Sequence, residues 1–286
     1  MEVVTSILSL HEARNRLQGS LGFVPTMGYL HEGHLSLVRA ARAQNPSVAV
    51  SIFVNPTQFG PNEDLDKYPR DLERDLELLR SVGADLVWTP DRAEMYPPDF
   101  QTWVSVDGIT GVLEGELRPG HFRGVTTVVT KLFNAVQPDR AYFGQKDAQQ
   151  ALVIKRMVRD LNMPVRIEIC PTVREPDGLA MSSRNIYLNP AERQAATVLS
   201  RALRSADAAF QAGERNGDAL RKIALDVFAA EPLARMQYVS LADMDTLQEV
   251  ETVAEKALLS TAAYIGATRL IDNLILDDAK TPQDLP

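Results

Sequence analysis

Two of the four histidines in this 286-residue chain, His31 and His34, stand three residues apart in the string F-V-P-T-M-G-Y-L-H-E-G-H (residues 23–34). Residues three apart on a helix share one side. Two imidazoles on that side can donate N–H groups to an anion without dense permanent charge. Gly28 and Gly33 bracket the segment, and the run ahead of it, Leu21 to Pro25, is apolar. A buried strand, a glycine-bearing turn and a helix start together form an anion site: the first N–H groups of a helix lack intrahelical partners, and the dipole adds partial positive charge. Gly33 has no side chain to hold a phosphate off that backbone. The competing chemistry is zinc, which an i, i+3 pair can also bind. It needs a third ligand, and His11 and His121 are the only other histidines.

Other chemistry-bearing residues follow the same strand-then-turn logic. Gly144-Gln145-Lys146-Asp147 closes a short apolar run and opens a helical stretch. Lys146 offers a point charge to phosphate, and Asp147 suits a helix N-cap. Gln58 lies just past a strand ending at Val54, and Gln150 lies near the start of its helix. Both amides fall where ligands collect in parallel sheets. In Met181-Ser182-Ser183-Arg184, two hydroxyls beside a guanidinium suit a triphosphate that becomes pyrophosphate. Asp75, in R-D-L-E-R-D-L, reads as one charge of a solvated helix face. Arg118 and His121 sit in a Pro-Gly loop that fits a substrate wall, a subunit contact or a turn. Cys170 is the only cysteine, which excludes an intrachain disulfide and a cysteine-rich zinc site. Its apolar surroundings predict a buried, inert thiol.

The elements that must position these residues are short apolar runs alternating with amphipathic stretches. Strands are predicted over Leu21 to Pro25, Val48 to Val54, Leu86 to Trp88, Ala141 to Phe143 and Val165 to Cys170. Helices are predicted over Leu35 to Gln44, Arg70 to Val82, Gly124 to Val136 and Ala148 to Leu161. The unbroken apolar run V-A-V-S-I-F-V fits a parallel strand covered on both faces. Strand–helix alternation implies right-handed crossovers and a Rossmann-like parallel sheet, hence an α/β N-terminal domain. Beyond about residue 184 the pattern becomes α+β. A helical stretch runs from Asn189-Pro190 to about Gln211 and another from Asp218 to Ala230, followed by strands at Tyr238 to Asp243, Ala257 to Ile265 and Arg269 to Leu276. The predicted domains are residues 1–176 and a smaller lid domain, 177–286.

Composition narrows the class. A hydrophobic share of 45% with 24% charged residues is that of an ordinary globular protein. A net charge of −8 argues against non-specific nucleic-acid binding. No apolar stretch approaches the ~18 residues of a membrane span, and the N-terminus does not read as a signal peptide. A cytoplasmic location is expected.

His31-Glu32-Gly33-His34 resembles the H-x-G-H motif of the nucleotidylyl transferase superfamily. The longer string through residue 34, with N-P-T-Q-F-G-P-N-E-D at 55–64, R-P-G-H-F-R-G-V at 118–125, Y-F-G-Q-K-D at 142–147, M-S-S-R-N at 181–185 and T-R-L-I-D-N at 268–273, resembles the pantoate–β-alanine ligase family. That resemblance implies ATP-dependent condensation of pantoate with β-alanine through an adenylate, giving pantothenate, AMP and pyrophosphate. It assigns the nucleotide to Met27, Gly28, Tyr29, Leu30, His31, Glu32, Gly33, His34, Gly144, Gln145, Lys146, Asp147, Val173, Met181, Ser182, Ser183 and Arg184. Val173 is implied near adenine and Asp147 near ribose. Gln58 and Gln150 are implied to hold pantoate, with Asn55 shaping that region. His31, His34, Lys146, Ser182, Ser183 and Arg184 are the expected catalytic group, and His34 is expected to give a proton or a hydrogen bond to leaving pyrophosphate. Magnesium is implied, held mainly by ATP with help from Asp75, and a homodimer is implied. Rival readings are an adenylyltransferase acting on a phosphorylated acceptor, an ATP-sensing module without catalysis, and a metal-dependent hydrolase using the two histidines.

Overall fold

Strands buried on both faces set the architecture of the first part of the chain. The protein is described by a computed structural model that covers residues 1–61 and 63–278. Two compact units divide it, residues 1–173 and residues from 174 onward.

In the first unit the strands are β1 (Glu2–Val4), β2 (Leu21–Thr26), β3 (Ser47–Ile52), β4 (Leu86–Trp88), β5 (Arg140–Gly144) and β6 (Arg166–Cys170). They form one six-stranded sheet in the order β1-β4-β3-β2-β5-β6, with every pairing parallel. The helices between them are α1 (Ile7–Arg14), α2 (Glu32–Gln44), α3 (Leu72–Ser81), two single turns α4 (Arg92–Met95) and α5 (Glu114–Leu117), α6 (His121–Val136) and α7 (Ala148–Asp160). Side chains alternate across the sheet. Phe23, Ala49, Leu86 and Trp88 pack into a core with Val128 and Leu132 of α6 and Ile154 of α7. Val24, Val48, Val50 and Val87 pack on the other face with Val38 of α2 and Leu79 of α3. The sheet is thus the Rossmann-like α/β layer that the continuous apolar runs predict.

The chain runs β2, β3, β4 toward one edge, then returns to place β5 on the other side of β2. That reversal opens a crevice at the carboxyl ends of β2 and β5, the place where such sheets bind ligands. The H-x-G-H turn leaves β2 there, and the Lys146 loop leaves β5 there.

The second unit holds α8 (Pro190–Ala195), α9 (Val198–Gln211), α10 (Gly217–Ala229) and an antiparallel sheet of β7 (Ala234–Ala242), β8 (Lys256–Ile265) and β9 (Thr268–Asp277). Its own core joins Leu199, Leu203 and Phe210 of α9 to Leu220 of α10 and Leu259 of β8. The single long helix expected from 189 to 211 is two helices. At the break, Thr197 turns its hydroxyl back onto the Gln194 carbonyl at 2.8 Å, a bond that competes with the regular ladder. Strand β7 begins four residues before its expected start, and a bulge at Met236/Tyr238 interrupts its alternation. Among the described residues no helix is long and apolar enough to cross a membrane.

Candidate active site

Helix α2 starts three residues earlier than its apolar pattern suggests, because the two histidines build its cap. His31 is the N-cap residue, and its Nδ1 accepts the Gly33 N–H at 3.1 Å. The His31 N–H donates to Nδ1 of His34 at 3.3 Å. This is the reciprocal logic of a capping box, with imidazoles where serine and glutamate are usual. A ring nitrogen that accepts carries no proton, so each neutral ring bears its hydrogen on Nε2. The two rings lie 4.1 Å apart at their centroids. Burial lowers the His31 pKa to about 4, helped by the Lys146 charge. Burial lowers His34 to about 3, helped by His31 and then Lys146. Both rings are therefore neutral at pH 7 and keep an Nε2–H to donate.

Backbone N–H groups in this turn are consumed internally. Those of Tyr29 and Leu30 donate to Oδ2 and Oδ1 of Asp75, each at 2.7 Å. The Gly28 N–H reaches the Thr26 hydroxyl at 3.3 Å, and the His34 N–H bonds the His31 carbonyl at 2.8 Å. The expected row of outward backbone donors is thus largely spent, and the imidazole Nε2–H groups take its place. Gly28 is required here. Its φ is +82°, and an added Cβ would come within 3.1 Å of Asp75 Oδ2. Tyr29 follows at φ +51°.

Asp75 is not on a solvated face. It is 1% exposed, and both carboxylate oxygens serve the turn. Burial pushes its pKa up, while the Leu30 and Tyr29 N–H bonds and then Arg74 pull it back. Arg74, which sequence reasoning passes over, completes the clamp. Its Nη2 donates to the Leu30 carbonyl at 3.0 Å, and its guanidinium lies 5.2 Å from the Tyr29 ring centre. One signal for Asp75 is present in the sequence: it lies four residues before the buried Leu79, on the apolar stripe of α3.

At the end of β5, Gln145–Asp147 form a short 3-10 turn leading into α7. Asp147 occupies the N-cap position without capping, and its Oδ1 lies 3.6 Å from Lys146 Nζ. Lys146 acts electrostatically on both imidazoles, so the β2 and β5 loops share one locus. In α7, Gln149 is buried and structural. Its amide bonds the carbonyls of Ile109 and Val112 at 2.8 Å, and its Oε1 accepts the Glu114 N–H at 3.0 Å. Its neighbour Gln150 is only partly buried.

Beyond β3, Asn55 caps a short 3-10 turn at Pro56–Gln58. Asn55 Nδ2 donates to Gln58 Oε1 at 2.9 Å and to the Gly124 carbonyl at 3.2 Å. The loop of Arg118 and His121 is a support for this turn. His121 Nδ1 donates to the Gln58 carbonyl at 2.8 Å, so its Nε2 is the acceptor facing Arg118 Nη1 at 3.2 Å. Burial and then Arg118 lower the His121 pKa to about 4. Arg118 also grips Glu63 through two bonds, at 2.6 and 2.7 Å. Burial alone would raise the Glu63 pKa, but the guanidinium holds it below the usual carboxylate range.

Val173 lies three residues past the end of β6, partly buried. Cys170, the last residue of β6, is only partly buried, against expectation, but burial and Glu168 push its thiol up toward the protonated, unreactive form. In the second unit Ser182 is the N-cap of a 3-10 helix over Ser183–Tyr187, its hydroxyl accepting the Arg184 N–H at 3.3 Å. Ser183 is buried, while Met181 and Arg184 are partly exposed. Arg174 ties the start of this segment down by donating two hydrogen bonds to the Asp272 carboxylate, at 2.6 and 2.9 Å. Among the described residues there is no cluster of three His, Cys, Asp or Glu fit for a metal, so a histidine-based metal hydrolase has no ligand set there.

A Rossmann-like sheet with an H-x-G-H turn and a lysine loop at its reversal point defines a nucleotide-handling enzyme of the nucleotidylyl transferase type. The sequence profile of the family described as Pantoate-beta-alanine ligase matches residues 2–275, and the chain belongs to that family. A protein named Pantothenate synthetase from Roseiflexus sp. (strain RS-1) is 65% identical over 277 residues, which is 97% of this chain and all of that one. The crystal structure of pantothenate synthetase from Thermus thermophilus superposes with a TM-score of 0.92 at 48% identity, covering 96% of this chain and 99% of that one. The Francisella tularensis pantoate-beta-alanine ligase, complexed with beta-gamma ATP and beta-alanine, gives a TM-score of 0.80 at 37% identity and covers 99% of both chains. The chain is thus a pantoate–β-alanine ligase by family.

Proposed function

We propose that the amide is made in two steps on the first unit's crevice. The pantoate carboxylate attacks the α-phosphorus of ATP and pyrophosphate leaves. The β-alanine amine then attacks the pantoyl adenylate, releasing AMP. Free carboxylates do not acylate amines in water, and the adenylate supplies the leaving group. The observation that carries this reading is the pair of neutral imidazoles with Nε2–H groups to donate, beside Lys146. Charge that builds on phosphoryl oxygens is stabilised by such pre-set donors. His31 and His34, with both rings neutral at pH 7 in the free protein, offer Nε2–H hydrogen bonds to the phosphoryl oxygens. Lys146, whose charge bears on both imidazoles, is the principal ammonium on phosphate.

The remaining roles follow the resemblance. Met27 to Gly33 and Gly144 to Asp147 border the nucleotide, and Val173 the nucleoside. Gln58 and Gln150 hold the acid, with Asn55 shaping that region. Gln58 and Gln150 are amides, which suit a small hydroxy acid better than the phosphorylated acceptor of an adenylyltransferase. Magnesium does not fit Asp75, whose two oxygens already accept backbone N–H groups in a dry setting. An ion that accompanies ATP would be held by the nucleotide's oxygens and water.

ATP–pyrophosphate exchange tests the reading. Label is expected to enter ATP only when pantoate is present, and adding β-alanine is expected to convert the adenylate to pantothenate. Exchange that ignores pantoate, or AMP transfer to a phosphorylated acceptor, would overturn it. The same reading carries a homodimer, which light scattering on the eluting protein checks.

A further inference from the structure

Gln58 can face an acid with either end of its amide, and the surroundings choose which. Asn55, 1% exposed, is the reference point. Its two amide ends are fixed by backbone groups whose polarity cannot change. The Gly124 carbonyl can only accept, so the atom 3.2 Å from it is Nδ2. The Thr57 N–H can only donate, so the atom it reaches at 3.4 Å is Oδ1. Nδ2 also contacts Gln58 at 2.9 Å, which obliges Gln58 to turn Oε1 inward. The Gln58 NH2 is left for a ligand. Its contact within the protein is the Met27 sulfur at 3.3 Å, a weak acceptor that an oxygen easily displaces.

Two hydroxyls hold this arrangement: Thr57 Oγ1 donates to Asn55 Oδ1 at 2.9 Å, and a second comes from a distant residue. The Tyr96 hydroxyl donates to Asn55 Oδ1 at 2.9 Å and lies 3.2 Å from the Thr57 hydroxyl. Burial pushes the Tyr96 pKa up, so the hydroxyl keeps its proton. Its ring is wedged between Phe53, 6.3 Å away, and Phe100, 5.0 Å away, which fixes its approach. We propose that Tyr96 is a positioning residue for acid specificity: through Asn55 it locks Gln58 with its NH2 toward the ligand, so the site selects an oxygen acceptor such as a carboxylate or hydroxyl of the hydroxy acid. This rests on the ligase reading above and adds a residue forty-one positions from Asn55 that acts through it.

The test is Tyr96→Phe in pantoate-dependent ATP–pyrophosphate exchange. Half-saturating pantoate is expected to rise ~5- to 20-fold, as for loss of one well-placed hydrogen bond in a polar network. Half-saturating ATP and the maximal rate are expected to stay within about twofold, a split that general destabilisation would not give. Asn55→Asp is the second arm. A carboxylate there cannot donate to Gln58, so the Gln58 amide reverses and presents its carbonyl to the acid. Half-saturating pantoate is then expected to rise ~100-fold, the sum of a lost and a repulsive contact. Tyr96→Phe with unchanged pantoate saturation, or with ATP and pantoate weakened alike, overturns the proposal. If Tyr96→Phe does not melt cooperatively, the Asn55→Asp arm decides: pantoate saturation close to wild type overturns the proposal. Wild-type protein without pantoate-dependent exchange would instead defeat the ligase reading, so the two failures are distinguishable.

Discussion

The turns leaving β2 and β3 stand at the ends of adjacent strands and treat histidine in opposite ways. After β2, each imidazole spends Nδ1 on the backbone and keeps Nε2–H for a ligand. After β3, His121 spends both nitrogens, one on the Gln58 carbonyl and one on Arg118, and displays nothing. There the displayed donor is an amide, Gln58, whose other end is consumed by Asn55. In both turns most polar ends are satisfied inside the protein, and the ends left over, two imidazole Nε2–H groups after β2 and one amide NH2 after β3, define the chemistry. The first turn suits diffuse phosphate charge. The second suits a small acid.

Breaking the first turn should have the largest effect. His34→Ala removes a phosphate donor and the acceptor for the His31 N–H. Maximal exchange is expected to fall ~100- to 1,000-fold, while half-saturating pantoate changes little. Initial-rate exchange assays check this, and near-normal turnover would remove His34 from the chemistry. Asp75→Asn comes next. An amide has one acceptor where the turn offers two N–H groups, so one buried donor loses its partner, at about 1–3 kcal/mol. ATP affinity is expected to weaken ~10-fold or more, with the magnesium requirement unchanged. A titration of magnesium against each variant separates turn support from metal binding.

On the second turn, Gly124→Ala places a Cβ 2.7 Å from the Gln58 nitrogen and closer still to the Thr57 carbonyl. Overpacking of this kind typically costs about 1–3 kcal/mol. Pantoate saturation is expected to suffer and ATP saturation to be spared, and denaturant melts report the stability loss. An effect on stability is shared by both turns. His31, His34 and His121 have folded pKa values of about 4, 3 and 4, below the ordinary 6.5. Between pH 6.5 and about 4 the unfolded chain binds protons that the folded chain refuses. Stability is therefore full above pH 6.5 and declines as pH drops through that window. Melting temperature measured from pH 7.5 to 4.5 should show the decline, and replacing His121 by Gln should remove about a third of it.

Much of this is legible in the sequence, for identifiable reasons. The run V-A-V-S-I-F-V announces a covered strand because both faces of β3 are buried. Leu86 to Trp88 has the bounds its pattern predicts because all three residues are buried. By contrast β1 is a three-residue edge strand with two exposed residues, too short for any period to show. The H-x-G-H turn and the Lys146 loop are readable because the chemistry lies in consecutive residues. Arg74, Tyr96 and Gly124 are not, since each acts on a residue 41 to 69 positions away, and local pattern carries no such information; for Asp75 the α3 stripe signals burial but not its partners. Asp75 is also masked by the charged residues Glu73, Arg74 and Glu77 around it. The free donors expected of a helix start are absent from the turn because the cap itself is made of the two histidines.

Nitrogen-15 NMR of histidine-labelled protein at pH 7 tests the central claim most directly, since it reports which ring nitrogen bears the proton. The account predicts neutral Nε2–H rings for His31 and His34 and a neutral Nδ1–H ring for His121. An imidazolium at either His31 or His34, or a proton on Nδ1 of either, would contradict it.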